Sequence, residues 1–141
     1  MTRTPTLDQL RDFLLGERLG FGVDREVYVY RPDPRLVIKL QVGEYDFQNV
    51  AEWNLWVNAS AALRKHLAPV HDISPTGAVL LQARCEPCPE HLIPAKMPKV
   101  LADLHKDNLG LYEGRPVAVD YGRHLAYAMS ANAKAMSKVR G

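Results

Sequence analysis

The chain has 141 residues, of which 47% are hydrophobic and 24% are charged, and its formal net charge is +2 at pH 7. This length and composition are typical of one globular domain, and so weak a positive charge argues against nucleic acid as the main partner. No apolar stretch reaches the length of a membrane span, and the first residues lack the pattern of a signal peptide. We therefore expect a cytoplasmic protein without membrane attachment.

The first part of the chain predicts one short helix and three strands. Thr6 to Leu15 places its apolar residues on one helical face and is followed by Gly16. Residues 17–30 alternate around a glycine-containing turn, which predicts a hairpin. The turn residues 31–34 close its second strand, and Leu36 to Val42 reads as a third strand.

The middle of the chain predicts a long helix and two further strands. From Phe47 to Leu63 the apolar residues recur at intervals of three to four, and Asp46 is a candidate cap. Strands are expected at Ala68 to Ile73 and Ala78 to Ala83, separated by the turn residues 74–77. The predicted order up to this point is therefore three strands, a helix and two strands.

The last part of the chain begins with a segment that is unfavourable for regular structure. Cys85 to Pro98 contains four prolines and reads as a linker. A small hairpin is predicted from Leu109 to Tyr112 and Pro116 to Val119. Leu125 to Val139 is rich in alanine, methionine and lysine, which predicts a helix.

The two cysteines form a single C-x-x-C pattern in the linker. Cys85 and Cys88 are followed by His91, but four zinc ligands would require distant help from His66 or His71. We interpret the pair as two reduced thiols, with a redox pair or part of a metal site as the alternatives.

Three polar residues late in the chain have types and intervals that phosphoryl transfer uses. Asp103 precedes Asn108 by five positions, and Asp120 follows an apolar strand and precedes Tyr121 and Gly122. In such a set, one carboxylate orients the nucleophile, while an amide oxygen and a second carboxylate hold magnesium. The structural alternative is a helix cap at Asp103 and turns at Asn108 and Asp120.

Upstream residues can supply the phosphate-binding side of such a site. Lys39 interrupts an otherwise apolar strand and would need a partner if it faced the interior. Glu52 on the following helix can be that partner, and Glu44 is a competing one. The alternative is a lysine that points outward from a half-exposed strand. Gly20 and Gly22 lie in the preceding hairpin, where backbone without side chains can approach phosphate.

Taken together, these residues resemble the protein-kinase-like superfamily in a shortened and atypical form. The Asp-Leu-His-x-x-Asn pattern from Asp103 to Asn108 is closest to the small-molecule kinases for aminoglycosides or choline, and the likeness extends from Leu19 to Gly122. It implies one kinase-like α+β domain. Residues 1–84 would form an N-terminal lobe with a five-stranded antiparallel sheet and one main helix, 85–98 a linker, and 99–141 a much reduced C-terminal lobe.

The resemblance also implies a site and its cofactors. ATP and Mg²⁺ would be the cofactors, and a hydroxyl group of a small molecule or protein would be the acceptor. The implied residues are Asp103, Lys39 and Glu52 for catalysis, Gly20, Gly22 and Lys39 for nucleotide binding, and Asn108 and Asp120 for the metal.

The sequence departs from the family pattern in three places. Arg25 stands at the position of the third glycine, Leu101 and Ala102 replace the His-Arg that precedes the catalytic aspartate of typical protein kinases, and few residues follow Gly122. Because a reduced lobe would leave apolar surface uncovered, we expect a homodimer or a protein partner. A non-catalytic kinase-like module that binds and regulates a partner protein is the alternative function.

Overall fold

The computed structural model describes residues 3–21, 25–43, 47–102 and 104–141, with only the backbone of Phe21. Within them, the α-helices are α1 (Leu7–Leu10), α2 (Gln48–Asn58) and α3 (Ala61–Arg64), and single 3-10 turns lie at Arg11–Phe13, Glu90–Leu92 and Lys106–Asn108. The strands are β1 (Leu15–Phe21), β2 (Arg25–Tyr30), β3 (Leu36–Gln41), β4 (Val70–Ile73), β5 (Val79–Ala83), β6 (Glu86–Pro87), β7 (Lys96–Pro98), β8 (Leu109–Tyr112), β9 (Arg115–Ala118) and β10 (Met136–Lys138).

The largest element is a five-stranded antiparallel sheet with the order β1-β2-β3-β5-β4. The predicted α+β class, the five strands and the main helix are therefore confirmed. β3 lies in the centre of the sheet, where Lys39 is paired with Val27 of β2 and Leu80 of β5. This central position explains why almost every residue of β3 is buried.

The first two of the three predicted helices are shorter in the structure than in the prediction. Thr6 and Gln9 form a capping box, but the α-helical part of the first segment ends at Leu10 and strand β1 begins at Leu15. The long helix is divided at Ala59, whose backbone is extended, and the side chain of Ser60 then accepts a hydrogen bond at the start of α3. Serine competes for backbone hydrogen bonds in this way and favours helix starts over helix interiors. The candidate cap Asp46 lies outside the described residues.

The helix predicted from Leu125 to Val139 is wrong. These residues form turns and then β10, which pairs antiparallel with β7 of the linker. The backbone N–H of Lys99 donates to Ala135 O at 2.7 Å, and that of Val139 donates to Ala95 O at 3.0 Å. Tertiary strand pairing has overridden a local preference for helix, which is a weak effect on its own.

Two small sheets complete the fold, β7 with β10 and the three strands β6-β8-β9. The β8–β9 hairpin turns through Glu113 and Gly114, which both have positive φ, at 50° and 78°. A bridge from Leu67 to Ala118 places this hairpin beside the segment that leads into β4. Among the described residues, no helix has the length and apolar character needed to cross a lipid bilayer.

One apolar core joins the sheet, α2, α3 and the later part of the chain. Its buried members come from the helices and the sheet as well as from the linker and the hairpin: Leu55, Leu63, Leu67, Val70, Leu80, Met97, Val100, Leu101, Leu104, Leu109, Ala118 and Tyr121. Because this core includes residues on both sides of 85–98, it fixes the hairpin and the following loop against the sheet.

Candidate functional site

A cleft of about 740 Å³ lies between the five-stranded sheet and the β8–β9 hairpin. Its sheet side includes Gly20 of β1, Val27 of β2 and Lys39 of β3, and its opposite side includes Asn108, Leu109 and Asp120. The volume is within the range of small-molecule sites in proteins. The strand pairing of β1, β2 and β3 therefore places the early candidate residues opposite the late ones.

The structure brings together most of the predicted site residues. Gly20, Lys39, Asn108 and Asp120 line the cleft, and Glu52 lies buried beneath it on α2. An added Cβ at Gly20 would meet no atom within 4 Å, so packing within the described protein does not require a glycine there. Gly22, Glu44 and Asp103 lie outside the described residues.

Lys39 and Glu52 form the predicted ion pair at the base of the cleft. Lys39 Nζ donates to Glu52 Oε1 at 2.9 Å, to Glu52 Oε2 at 3.2 Å and to the backbone oxygen of Val119 at 2.6 Å. The two side chains are 5% and 0% exposed. The alternative of an outward-pointing lysine is therefore wrong, and the lysine has satisfied its charge and its three N–H groups within the protein.

The ionic environment keeps Glu52 charged despite its burial. Burial acts to raise the pKa of Glu52, but the charges of Lys39 and Arg25 outweigh it and hold the pKa below its usual 4.5. For Lys39, burial lowers the pKa from 10.5, with a smaller contribution from Arg25, against the attraction of Glu52. The backbone N–H of Tyr121 also donates to Glu52 Oε2 at 3.1 Å, which favours the carboxylate form.

Arg25 is a member of this cluster that the sequence pattern did not identify as a structural partner. Its NH1 donates to Glu52 and, at 3.3 Å, to Asn49 Oδ1, and its NH2 donates to Asp120 Oδ1 at 2.5 Å. Although Arg25 stands at the position of the family's third glycine, its side chain is 7% exposed and is held between two carboxylates. Burial opposes its charge, but Glu52 and Asp120 raise the pKa of Arg25 above its usual value.

Asn49 was missed at the sequence level. It is fully buried, and its Nδ2 donates to the backbone oxygen of Lys39 at 3.1 Å while its Oδ1 accepts from Arg25. Asn49 and Glu52 are three residues apart on α2, so they share one face of the helix. Two polar residues on the helix face that packs against an apolar strand are the sequence signal that could have identified this pair.

The predicted metal ligands lie on adjoining segments of the cleft. The backbone N–H of Val119 donates to Asn108 O at 2.8 Å, which joins the Asn108 segment to the residue before Asp120. Among the described residues, no group of three or more His, Cys, Asp or Glu side chains could hold a metal ion. An amide oxygen and one carboxylate still suit Mg²⁺ when phosphate and water oxygens complete its shell.

Gly122 has a packing role beside this site. A Cβ at this residue would lie 2.8 Å from Gln48 Cβ and 3.0 Å from the Gln48 backbone, so only glycine allows this approach to α2. Tyr121, 2% exposed, donates from its hydroxyl to Ala68 O at 2.7 Å. The residues after Asp120 therefore fix its backbone against α2 and the core.

The loop around Asn108 is held by the last residues of the chain. The backbone N–H of Lys106 donates to Arg140 O at 2.8 Å, and that of Arg140 donates to Leu104 O at 2.6 Å. Within the loop, His105 Nδ1 accepts a hydrogen bond from the backbone N–H of Asp107 at 3.2 Å.

Both cysteines are free thiols in the structure. Cys85 lines the cleft, and burial raises its pKa to about 11, so the thiol is protonated near neutral pH. Burial also raises the pKa of Cys88. Because the thiolate is the reactive form, these cysteines have the properties of unreactive thiols.

No protein-family model matches this chain, and a search of curated proteins finds no similar sequence.

Proposed function

We propose that this protein is a kinase-like phosphotransferase that uses ATP and Mg²⁺ and acts on a hydroxyl acceptor. The observation that carries the proposal is the position of the buried Lys39–Glu52 pair, which meets the cleft opposite Asn108 and Asp120. Phosphoryl transfer depends mainly on positioning and charge stabilisation, and this arrangement offers a cation for phosphates and oxygen ligands for a metal.

The cleft also suits the rest of a nucleotide. Leu19, Val27 and Leu109 give it apolar walls on both sides, which favours a flat heterocyclic base. A phosphate oxygen that reaches Lys39 would replace the Val119 carbonyl as the third acceptor of the ammonium group. Glu52 would keep the lysine in position during this exchange.

In this proposal Asp103 would accept the proton of the acceptor hydroxyl or orient that group, and Asn108 and Asp120 would hold the magnesium ion. The ion would supply charge neutralisation for the transferred phosphoryl group. Asp103 lies outside the described residues, so its role comes from the sequence pattern alone.

The second candidate is a non-catalytic module that binds a partner protein. It is favoured by one observation: Asp120 is already paired with Arg25, at the position where the family has a glycine. Such a pairing reduces the negative charge that would attract a metal ion. In this alternative the cleft binds nucleotide without transfer, or the surface around it binds the partner.

Calorimetry with a non-hydrolysable ATP analogue, with and without Mg²⁺, tests the nucleotide site. We expect magnesium to strengthen binding to the wild-type protein, and Asp120→Asn to remove that strengthening because a metal ligand is lost. Asp72→Asn, on the exposed side of β4, is the matched control and should behave as wild type. No binding of the analogue under any condition would contradict the proposal.

Activity of Asp103→Asn then separates the enzyme from the module. We expect loss of ATP hydrolysis or transfer by at least about a hundredfold, the usual size of an acid–base contribution, with nucleotide binding retained. A wild-type protein that binds nucleotide but shows no turnover that depends on Asp103 would support the non-catalytic module instead.

A further inference from the structure

The ion pair between Arg25 and Asp120 places opposite charges side by side on the lining of the cleft. Asp120 is 52% exposed and lines the cleft, whereas Arg25 is 7% exposed and reaches it from below. With Lys39 and Glu52, the cluster contains two cations and two anions and is therefore neutral. Neither a lone cation nor a lone anion is strongly attracted to a neutral cluster.

If only one kind of ion bound, it would take the place of one residue of this pair, and that residue would lose its partner. A metal ion on Asp120 would displace Arg25 from that carboxylate, and an anion on Arg25 would displace Asp120 from the guanidinium. Removing one partner from a buried charge is costly, and Arg25 would then depend on Glu52 alone among these carboxylates. A ligand that carries both charges avoids this cost because it replaces each partner at once.

Arg25 is built to remain in place during such an exchange. Asn49 Oδ1 and both oxygens of Glu52 accept hydrogen bonds from its guanidinium, and these two residues are fully buried on α2. Of the hydrogen bonds that Arg25 makes to these three residues, the one to Asp120 is therefore the one whose partner is exposed in the cleft. A planar guanidinium also matches phosphate oxygens better than an ammonium group does.

We propose that Arg25 is a specificity-determining residue that makes the cleft select a divalent cation–polyphosphate chelate over the free cation or the free nucleotide. On binding, Asp120 exchanges Arg25 for the metal ion, and Arg25 exchanges Asp120 for phosphate oxygens. This inference rests on the proposed nucleotide site and adds a mechanism for its metal dependence. Arg25, which stands where the family has its third glycine, thus has a function of its own.

Binding measurements on the wild-type protein and two single variants test this exchange. The probes are Mn²⁺ alone, followed by electron paramagnetic resonance, and a non-hydrolysable ATP analogue by calorimetry, with Mg²⁺ or with a chelator. For the wild type we expect each probe alone to bind weakly and the two together to bind at least about thirtyfold more tightly, within the usual range of coupling between ligands.

The two variants should change single-ion binding in opposite directions. Arg25→Gln leaves the cluster with one excess negative charge, so Mn²⁺ alone should bind at least about fivefold more tightly than to the wild type. Asp120→Asn leaves one excess positive charge, so the metal-free analogue should bind at least about fivefold more tightly. In both variants the coupling between metal and nucleotide should fall to near unity. Arg35→Gln, an exposed arginine paired with Asp33, is the control and should keep the wild-type coupling.

The possible outcomes distinguish this exchange from the proposed nucleotide site on which it depends. If the analogue binds and Asp120→Asn loses the magnesium effect, but Arg25→Gln keeps the wild-type coupling and both variants keep the wild-type single-ion affinities, the exchange is wrong and the nucleotide site stands. If the analogue binds to no variant under any condition, both proposals fail. If Arg25→Gln does not fold, the affinity of Asp120→Asn for the metal-free analogue decides, and an affinity equal to that of the wild type overturns the exchange. This variant should fold, because the half-exposed Asp120 is not required for the buried contacts of Arg25 with Asn49 and Glu52.

Discussion

Glu52 has the most demanding environment of any described carboxylate because it is fully buried and accepts bonds from three directions. Lys39, Arg25 and the backbone N–H of Tyr121 all donate to its two oxygens. Each donor belongs to a different segment of the chain, on β3, on β2 or after β9. Loss of this one negative charge would leave two buried cations without their shared partner.

The charge of Glu52 should make stability depend on acid pH. Because its folded pKa lies below 4.5, the stabilisation is fully present above pH 4.5 and is lost as the pH falls through the folded value. Glu52→Gln should lower the free energy of unfolding at pH 7 by about 3–5 kcal/mol, the usual cost of breaking a buried pair. The difference from wild type should then shrink as the pH approaches 3.

Urea unfolding followed by circular dichroism from pH 7 to pH 3 measures this difference. Glu17→Gln, at an exposed position of β1, is the control and should follow the wild-type curve. A difference that stays constant over the whole pH range would mean that Glu52 is not ionised in the folded protein.

At the scale of elements, the contact between α2 and the segment after β9 sets the position of Asp120. Gly122→Ala would place a Cβ 2.8 Å from Gln48 Cβ and 3.0 Å from its backbone, which cannot move without displacing α2. We expect a loss of about 1–3 kcal/mol in the free energy of unfolding, as for other overpacked sites. Chemical denaturation checks this loss.

Gly20→Ala is the matched control for that substitution, because its added Cβ would meet no atom within 4 Å. Its free energy of unfolding should be no lower than that of the wild type. Equal stability of the two alanine variants would contradict the close packing of Gly122 against Gln48.

Several elements were predictable because their signals are local. The alternation in β1 to β3, the glycine turn of the β8–β9 hairpin and the apolar period of α2 each lie within a few residues, and each element is present. The ion pair of Lys39 and Glu52 was also predictable, since a lysine in a buried strand requires a partner. The C-terminal helix was wrong because its strand pairing with β7 depends on residues forty positions away, which local propensity does not report.

The contacts of Arg25 were not predictable for the same reason. Arg25 binds Glu52 and Asp120, which are 27 and 95 positions away in the sequence. The residues near Arg25 in the sequence do not indicate either contact. The kinase-like function stays a prediction. The use of ATP and Mg²⁺ and the association with a second copy or a protein partner stay predictions as well.

At the scale of the whole molecule, the last residues hold together parts that are distant in sequence. β10 pairs with β7, and Arg140 exchanges backbone hydrogen bonds with Leu104 and Lys106. Deleting residues 136–141 should therefore loosen the loop next to Asn108. We expect the amide of Lys106 to exchange with solvent at least about tenfold faster, because its acceptor is lost and the loop opens locally.

Hydrogen exchange measured residue by residue checks this effect. Deletion of Gly141 alone is the control, because its neighbour Arg140 keeps the bonds to the loop. The amides of β3 should keep their slow exchange in both variants, since that strand is paired on both sides. Unchanged exchange at Lys106 after the longer deletion would contradict the role given to the terminal strand.

The residues from Tyr121 to His124 contact α2 repeatedly along its length. Tyr121 donates to Glu52, Gly122 packs on Gln48, and His124 Nε2 lies 2.8 Å from Ala51 O. An effector that pulled this helix away from the sheet would have to break all of these contacts together with the ionic cluster. Control of this molecule by outward rotation of α2 is therefore disfavoured.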